Sequence, residues 1–295
     1  MRLGIDLGGT RIKAGLVDAG GRVCERAVAP TSEERTVDAV VAQIAAMVAE
    51  MLPRATSVGL AAAGVMERST GLIRESPNFP TWCDVPLGEL LGHRLGVPVT
   101  LDNDANAIVW GEACHGAGQG VSSLIGYALG TGVGGAVVLE GRLWRGVRGM
   151  AGELGHVVVV RDGQPCGCGG RGCLEQYAGA VGLWRQLNEL GYLQFGSGVD
   201  GIRLAGEAAR GGDRRLRALF ESLGRHLGVA IAGAIHTLDV QRVVLAGGLT
   251  GASDLFLQST HESMRAHAFP SVVEGVEVVI GTLGDEAGVV GAAAL

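Results

Sequence analysis

The sequence is short of lysine, of charge and of long apolar runs. Lys13 is its only lysine, so 23 of the 24 basic residues are arginines, a bias of base composition rather than of chemistry. Only 18% of residues are charged, and the net charge of −6 is spread along the chain. That balance excludes a surface built mainly for nucleic acid. Abundant Val, Leu and Ala with so little charge exclude a disordered chain. The most apolar helical stretch, residues 37–52, is interrupted by Asp38, Gln43 and Glu50 and falls short of a membrane span. Asp6 breaks the first apolar run, which excludes a signal peptide; a cytoplasmic protein with no membrane partner is expected. No linker rich in proline or serine marks a domain boundary, and residues 114–120 are the best candidate.

What is present in excess is glycine, 51 of 295 residues, against about 7% in an average protein. It follows no G-X-Y period, so it reads as many tight turns and close backbone approaches. The length allows two domains of ordinary size. Of six cysteines, Cys24, Cys83 and Cys114 are scattered and are expected to be small buried hydrophobes. The other three, Cys166, Cys168 and Cys173, cluster within a few residues, which in a reducing compartment points to metal.

Strands and helices alternate, which predicts an α/β fold. Strands are expected at 3–7, 12–17, 57–61, 97–101, 124–129, 135–140 and 242–246. Helices are expected at 37–52, 105–114, 216–238 and 285–295. The opening strand, glycine turn and returning strand recur: LGGTRIKAGLVDAGGRV is matched in outline by LGTGVGGAVVLEGRL. This is read as an internal repeat and so as two similar domains. One is a small domain over 1–114, completed by 285–295, and the other a large domain over 115–284.

Neither glycine turn has the G-x-x-x-x-G-K-[ST] form of a Walker A loop. Both are hairpin turns whose backbone N–H groups can form an anion nest, with Thr10 and Thr131 adding hydroxyls. Asp6 precedes the first turn and has Ala128 as its counterpart, so one side of the cleft offers a carboxylate for a single Mg2+ beside phosphates.

Through these motifs the chain resembles the actin/hexokinase-like phosphotransferases, and specifically the ROK family of sugar kinases. The resemblance runs from IDLGGT at 5–10 to GDEAGVVGAAAL at 284–295. It implies two ribonuclease-H-like domains with ATP in the cleft between them. Carried over, Gly8, Gly9, Thr10, Thr131 and Gly132 face the phosphates, and Gly247 and Gly248 line the adenosine pocket. The NDAN stretch makes Asp104 the general base, at a strand-to-helix junction where a helix N-terminus would keep it ionised and oriented. Asp102 and Asn106 are read as ordinary helix-capping residues.

His156, Cys166, Cys168 and Cys173 supply one imidazole and three thiolates, the composition of a closed, structural tetrahedral Zn2+ site. Their spacing, H-x9-C-x-C-x4-C, also matches the ROK pattern. By the same resemblance Glu153, His156 and Glu175 grip sugar hydroxyls on the C1–C2 side, while Asn78 and Asn103 take hydroxyls elsewhere on the ring. Where the family shows G-x-G-x-P-G, this chain has Gly59-Leu60-Ala61-Ala62-Ala63-Gly64. The expectation is an ATP- and Mg2+-dependent hexose 6-kinase acting on glucose, and a homodimer or homotetramer. Mannose, N-acetylmannosamine, N-acetylglucosamine and fructose remain open as substrates, and polyphosphate as donor. A ROK repressor would need a helix-turn-helix ahead of the first strand, where only Met1 and Arg2 stand. An actin-like ATPase would leave the Cys/His loop unexplained.

Overall fold

A computed structural model describes residues 1–67 and 71–295. The chain opens with a meander of β1 (Arg2–Leu7), β2 (Arg11–Val17) and β3 (Val23–Pro30). Helix α1 (Val37–Val48) returns it to β4 (Val58–Ala62), parallel to β1. A small antiparallel sheet of β5 (Val65–Glu67), β6 (Leu72–Glu75) and β7 (Cys83–Val85) follows. Helix α2 (Leu87–Leu95) then leads to β8 (Val99–Asn103), parallel to β4, and directly into α3 (Asp104–His115). The main sheet has the order β3-β2-β1-β4-β8.

The second half repeats the plan with β9 (Leu124–Leu129), β10 (Val133–Leu139) and β11 (Arg142–Trp144) as the meander. A long excursion carries α4 (Glu175–Ala178), α5 (Ala180–Glu189), α6 (Gly198–Arg210) and α7 (Arg214–Leu238). The chain continues through β12 (Arg242–Ala246), α8 (Ser253–Ala266), α9 (Pro270–Val273) and β13 (Glu277–Ile280), and closes on α10 (Ala287–Ala293). Its sheet order is β11-β10-β9-β12-β13. Strand for strand, the order and sense match the first sheet: two antiparallel pairings, then two parallel ones. The internal repeat read from two glycine turns is therefore a repeat of whole sheets.

Each half has its own core. In the first, Ile5, Leu7, Ile12, Leu60 and Ile44 are fully buried between sheet and α1, each burial contributing about 1.5–3 kcal/mol. In the second, α7 presents Leu216, Leu219, Phe220, Leu223, Leu227 and Ile231 at helical spacing to the sheet and to α8. Asp213 starts α7 by accepting the N–H groups of Arg215 and Leu216, two of the donors a helix start leaves unpaired.

Helix α10 packs on β1, β4 and α3 of the first half. The approach is backbone to backbone: a Cβ on Gly4 would stand 1.9 Å from the Val289 carbonyl oxygen. A Cβ on Gly59 would stand 1.8 Å from that of Ala292, and one on Gly291 1.7 Å from that of Ala107. Ala61, which stands where the family pattern has glycine, is fully buried in this junction with Ala107 and Ala292. Helix α3 also packs on β9 and β10, so it lies between the two sheets.

Two expectations need correction. The helix expected over 37–52 ends at Val48, and a 3-10 turn over Leu52–Arg54 takes its place around Pro53, which lacks the N–H to continue a helix. Cys24 and Cys83 are exposed and Cys114 is half-buried; Cys24 lies on the edge strand β3, whose side chains alternate towards solvent.

Gly291→Val is expected to destabilise the fold by at least about 1–3 kcal/mol, since the clash is with backbone. Gly233→Ala, in α7 with nothing within 4 Å, should instead stabilise by about 0.5–1 kcal/mol. Thermal melts of the two variants check the contrast.

Candidate active site

The two glycine turns sit at matching ends of the two sheets. The first is closed by the Gly8 N–H donating to the Arg11 carbonyl at 3.0 Å, and the Thr31 hydroxyl donates to the Gly8 carbonyl at 2.8 Å. In the second, the Gly130 N–H donates to the Gly132 carbonyl at 3.0 Å, and Val181 at the start of α5 donates to the Thr131 carbonyl at 3.1 Å. Both threonines are left exposed. The second turn rests on the start of α3: a Cβ on Gly134 would stand 2.5 Å from the Ala105 Cβ. Gly247 (φ 93°) and Gly248 follow β12 directly, where a Cβ on Gly247 would meet the Leu129 carbonyl at 2.5 Å. They therefore adjoin the strand that enters the second turn.

Asp6, on β1, lies opposite Lys13 on β2 and Ala61 on β4, and Gly288 of α10 stands against its carboxylate. Burial, then the charge of Asp104, pushes its pKa up to about 6, with Lys13 pulling the other way. The Lys13 ammonium donates to the Asp285 carbonyl at 3.2 Å.

The α3 start is built by two adjacent side chains. Asn103 is the N-cap, its carbonyl oxygen accepting from the Ala105 N–H at 2.8 Å and the Asn106 N–H at 3.2 Å. Its amide nitrogen donates to the Gly64 carbonyl at 3.1 Å. Asp104 is the first helical residue and accepts from the Ala105 N–H at 2.9 Å. Burial raises the Asp104 pKa and outweighs these backbone donors, the reverse of the expectation that the helix start would dominate.

Asp102 and Asn106 do not cap the helix. Both are buried, and the Asp102 carboxylate accepts from the Asn106 amide at 2.8 Å and from Arg145 Nε at 2.5 Å.

His156, Cys166, Cys168 and Cys173 bring one ligand atom each to within 4.8 Å of one another. Cys166 Sγ is 3.5 Å from His156 Nδ1, and the Cys168 and Cys173 sulfurs are 3.7 Å apart. The other histidine nitrogen, Nε2, is 4.0 Å from Glu153. Glu175, at the start of α4, reaches both ways: it accepts from Cys166 at 3.7 Å and from the Val133 N–H at 3.3 Å. It thus links the cysteine loop to the second glycine turn. Burial, and then the carboxylates of Asp104 and Glu175, raise the Glu153 pKa against the opposing His156.

Asp6, Asp104, Glu153, His156 and Glu175 therefore form one electrostatic neighbourhood. Asn78 enters from the first half, its side chain filling the space where Gly9 lacks a Cβ. Arg35 fixes it there: the guanidinium donates to the Gly9 carbonyl at 3.0 Å and to the Asn78 carbonyl at 2.7 Å. Arg35 holds a left-handed backbone (φ 52°), and its own carbonyl accepts from the Trp82 indole at 2.9 Å, with Trp82 stacked on Phe79. Neither Arg35 nor Arg145 stands in a recognisable motif, and only their distant partners reveal them.

A carboxyl with a folded pKa of about 6 and an ordinary value of 3.8 binds its proton more tightly when folded. Stability is lost as pH rises between those values, and the cost is complete above about pH 6. Asp6→Asn should therefore raise the melting temperature of the unliganded protein at pH 7–8, and the gain should shrink towards pH 4. Melts across that range check the sign.

The ROK family model matches residues 2–295. The glucokinase of Thermotoga maritima is 38% identical over 306 residues, covering 99% of this chain and 96% of its own. The N-acetylmannosamine kinase of Citrobacter koseri is 33% identical over 259 residues, covering 88% and 87%. Among solved structures, a ROK glucokinase from Streptomyces griseus in complex with glucose and AMPPNP superposes with a TM-score of 0.84 at 36% identity, covering 99% of this chain and 98% of its own. With its paired sheets, its two glycine turns and its Cys/His loop, this chain belongs to the ROK family.

Proposed function

We propose that the chain is an ATP-dependent hexose kinase that phosphorylates the 6-hydroxyl, with glucose as its preferred sugar. The observation that carries this is the position of Asp104, half-buried at the start of α3, against which the second glycine turn rests and to which Asp6 and Glu153 are electrostatically coupled. Glucokinases at 34–38% identity over nearly the whole chain support the choice of sugar.

In this reading the glycine turns bind the phosphates of ATP through Gly8, Gly9, Thr10, Thr131 and Gly132, and Gly247 and Gly248 flank its adenosine. Asp104 accepts the O6 proton as that oxygen attacks the γ-phosphoryl in line. Burial raises its pKa, which makes its carboxylate a stronger base than that of an exposed aspartate. Phosphoryl transfer passes through a loose transition state, so positioning counts for more than base strength. Asn78, Asn103, Glu153, His156 and Glu175 hold the sugar, the carboxylates giving charge-assisted hydrogen bonds to neutral hydroxyls. Asp6 is the carboxylate that would hold Mg2+, which supplies charge neutralisation among the phosphates.

His156, Cys166, Cys168 and Cys173 would hold a structural Zn2+. Zn–S bonds of about 2.3 Å in a tetrahedron put adjacent sulfurs about 3.8 Å apart and sulfur and nitrogen about 3.6 Å apart, close to the 3.7 and 3.5 Å found. With Nδ1 turned into the cluster, His156 is left with Nε2 for the sugar. The reading includes a division into 1–114 with 285–295 against 115–284, a cytoplasmic location and assembly as a homodimer or homotetramer. No helix among the described residues is long and apolar enough to cross a membrane.

ADP release with Mg-ATP across glucose, mannose, fructose and the N-acetylhexosamines tests the function. The highest kcat/KM is expected for glucose, and Asp104→Asn should keep sugar affinity while losing kcat by orders of magnitude. Near-normal turnover of that variant would remove Asp104 as the base. Cys166→Ser should release zinc, measured by elemental analysis, and weaken sugar binding. Full activity without bound metal would remove the zinc role.

A further inference from the structure

One ion pair joins the two sheets beside the proposed base, and no part of the mechanism above uses it. Asp102 belongs to β8 of the first sheet, and Arg145 directly follows β11 of the second. The Asp102 side chain is 8% exposed and that of Arg145 20%, so the pair is largely shielded from the solvent that weakens surface ion pairs. The carboxylate is fully engaged: one oxygen accepts Arg145 Nε at 2.5 Å, and the other accepts the Asn106 amide and the Asn103 N–H, each at 2.8 Å. On its first-half side, Asp102 therefore braces the residues that start α3, immediately before Asp104.

On the other side, Arg145 begins a loop punctuated by glycines of positive φ at Gly146, Gly149 and Gly152. The loop ends at Glu153, and the Ala151 N–H donates to the Arg145 carbonyl at 3.0 Å, closing it into a ring at Arg145. Such glycines let the loop adopt many shapes, so its position depends on where its ends are held. Asn103, Asn106, Gly149, Ala151 and Glu153 line one small cavity, which places this loop face to face with the α3 start.

We propose that Arg145 is a positioning residue whose ion pair with Asp102 registers the sugar-gripping loop, and with it Glu153, to the helix start that carries Asp104. The pair holds the sugar's anchor and the base as one unit across two separately folded sheets. The catalytic consequence rests on the hexose-kinase reading; the structural coupling does not.

Arg145→Met, Asp102→Asn and the double variant test it, with Arg145→Lys as the conservative replacement. Before any substrate is added, Arg145→Met should speed amide exchange at least tenfold both in 146–153 and at the 105–106 start of α3. With substrates, KM for the sugar should rise about tenfold while KM for ATP stays within twofold. Arg145→Lys should recover part of the loss. The double variant should be no worse than Arg145→Met alone, because both single changes break the same interaction.

Unchanged exchange in both segments, equal shifts in the two KM values, or multiplying losses in the double variant would each overturn the proposal. If Arg145→Met does not fold, the same comparisons on Arg145→Lys and Asp102→Asn decide. A wild-type protein that turns over no hexose would overturn the kinase reading instead, and the exchange result would still judge the ion pair.

Discussion

The rest of the structure depends on the contact of α10 with β1, β4 and α3. It is a packing of backbone on backbone, possible only because Gly4, Gly59, Gly111 and Gly291 carry no side chain. Close packing in a protein interior leaves no slack for a methyl group at such points. The last helix of the chain thereby becomes the inner layer of the first sheet, and α3 is pressed between that layer and the second sheet. Two features of the active site follow. Gly288 of α10 stands against the Asp6 carboxylate, and α3 presents Asp104 beneath the second glycine turn. A chain rich in glycine is thus the means by which two sheets share a helix pair.

On this frame the protein gathers carboxylates that repel one another. Asp104 raises the pKa of Asp6, and Asp104 and Glu175 raise that of Glu153. Among the described residues Lys13, the only lysine in the chain, is the one positive side chain that opposes the shift of Asp6. Such a cluster costs stability in the free protein, and carboxylates perturbed by burial and by one another are candidates for function. The cluster suits a site that receives a divalent cation on one side and a polyol on the other. Acceptors are useful towards the hydroxyls, and negative charge is useful towards the metal.

Much of this was legible in the sequence because it is local. A strand, a glycine turn and a returning strand are consecutive, so both turns and their repeat are readable, and the four residues of the Cys/His cluster lie within one short segment. The α3 start is legible to within a residue, but its cap is not: Asp102, Asn103, Asp104 and Asn106 are all competent N-caps, and only packing selects Asn103. The buried role of Asp102 depends on Arg145, 43 positions away. Arg35 likewise bonds Gly9 and Asn78, 26 and 43 positions away. The exposure of Cys24 and Cys83 is not legible in the sequence because it depends on which strands lie at sheet edges, and sheet order is not a local property.

Glu112 makes the same point from inside the helix pair. It is fully buried near the end of α3, and from the sequence it is one more acid in a helix. Its carboxylate accepts the N–H groups of Ala117 at 2.9 Å, Thr282 at 3.0 Å and Leu283 at 2.9 Å. A buried carboxylate is tolerable only when hydrogen bonds replace its lost water, and here all three donors are backbone groups in segments that end or begin an element. One is the turn leaving α3, and the other two lie on the path from β13 into α10. A single side chain thus ties the exit of one central helix to the entry of the other, while Gly116 and Gly281 leave it the room to do so. The glycines set how closely α3 and α10 approach, and Glu112 fixes the chain at the ends where glycine alone would leave it free.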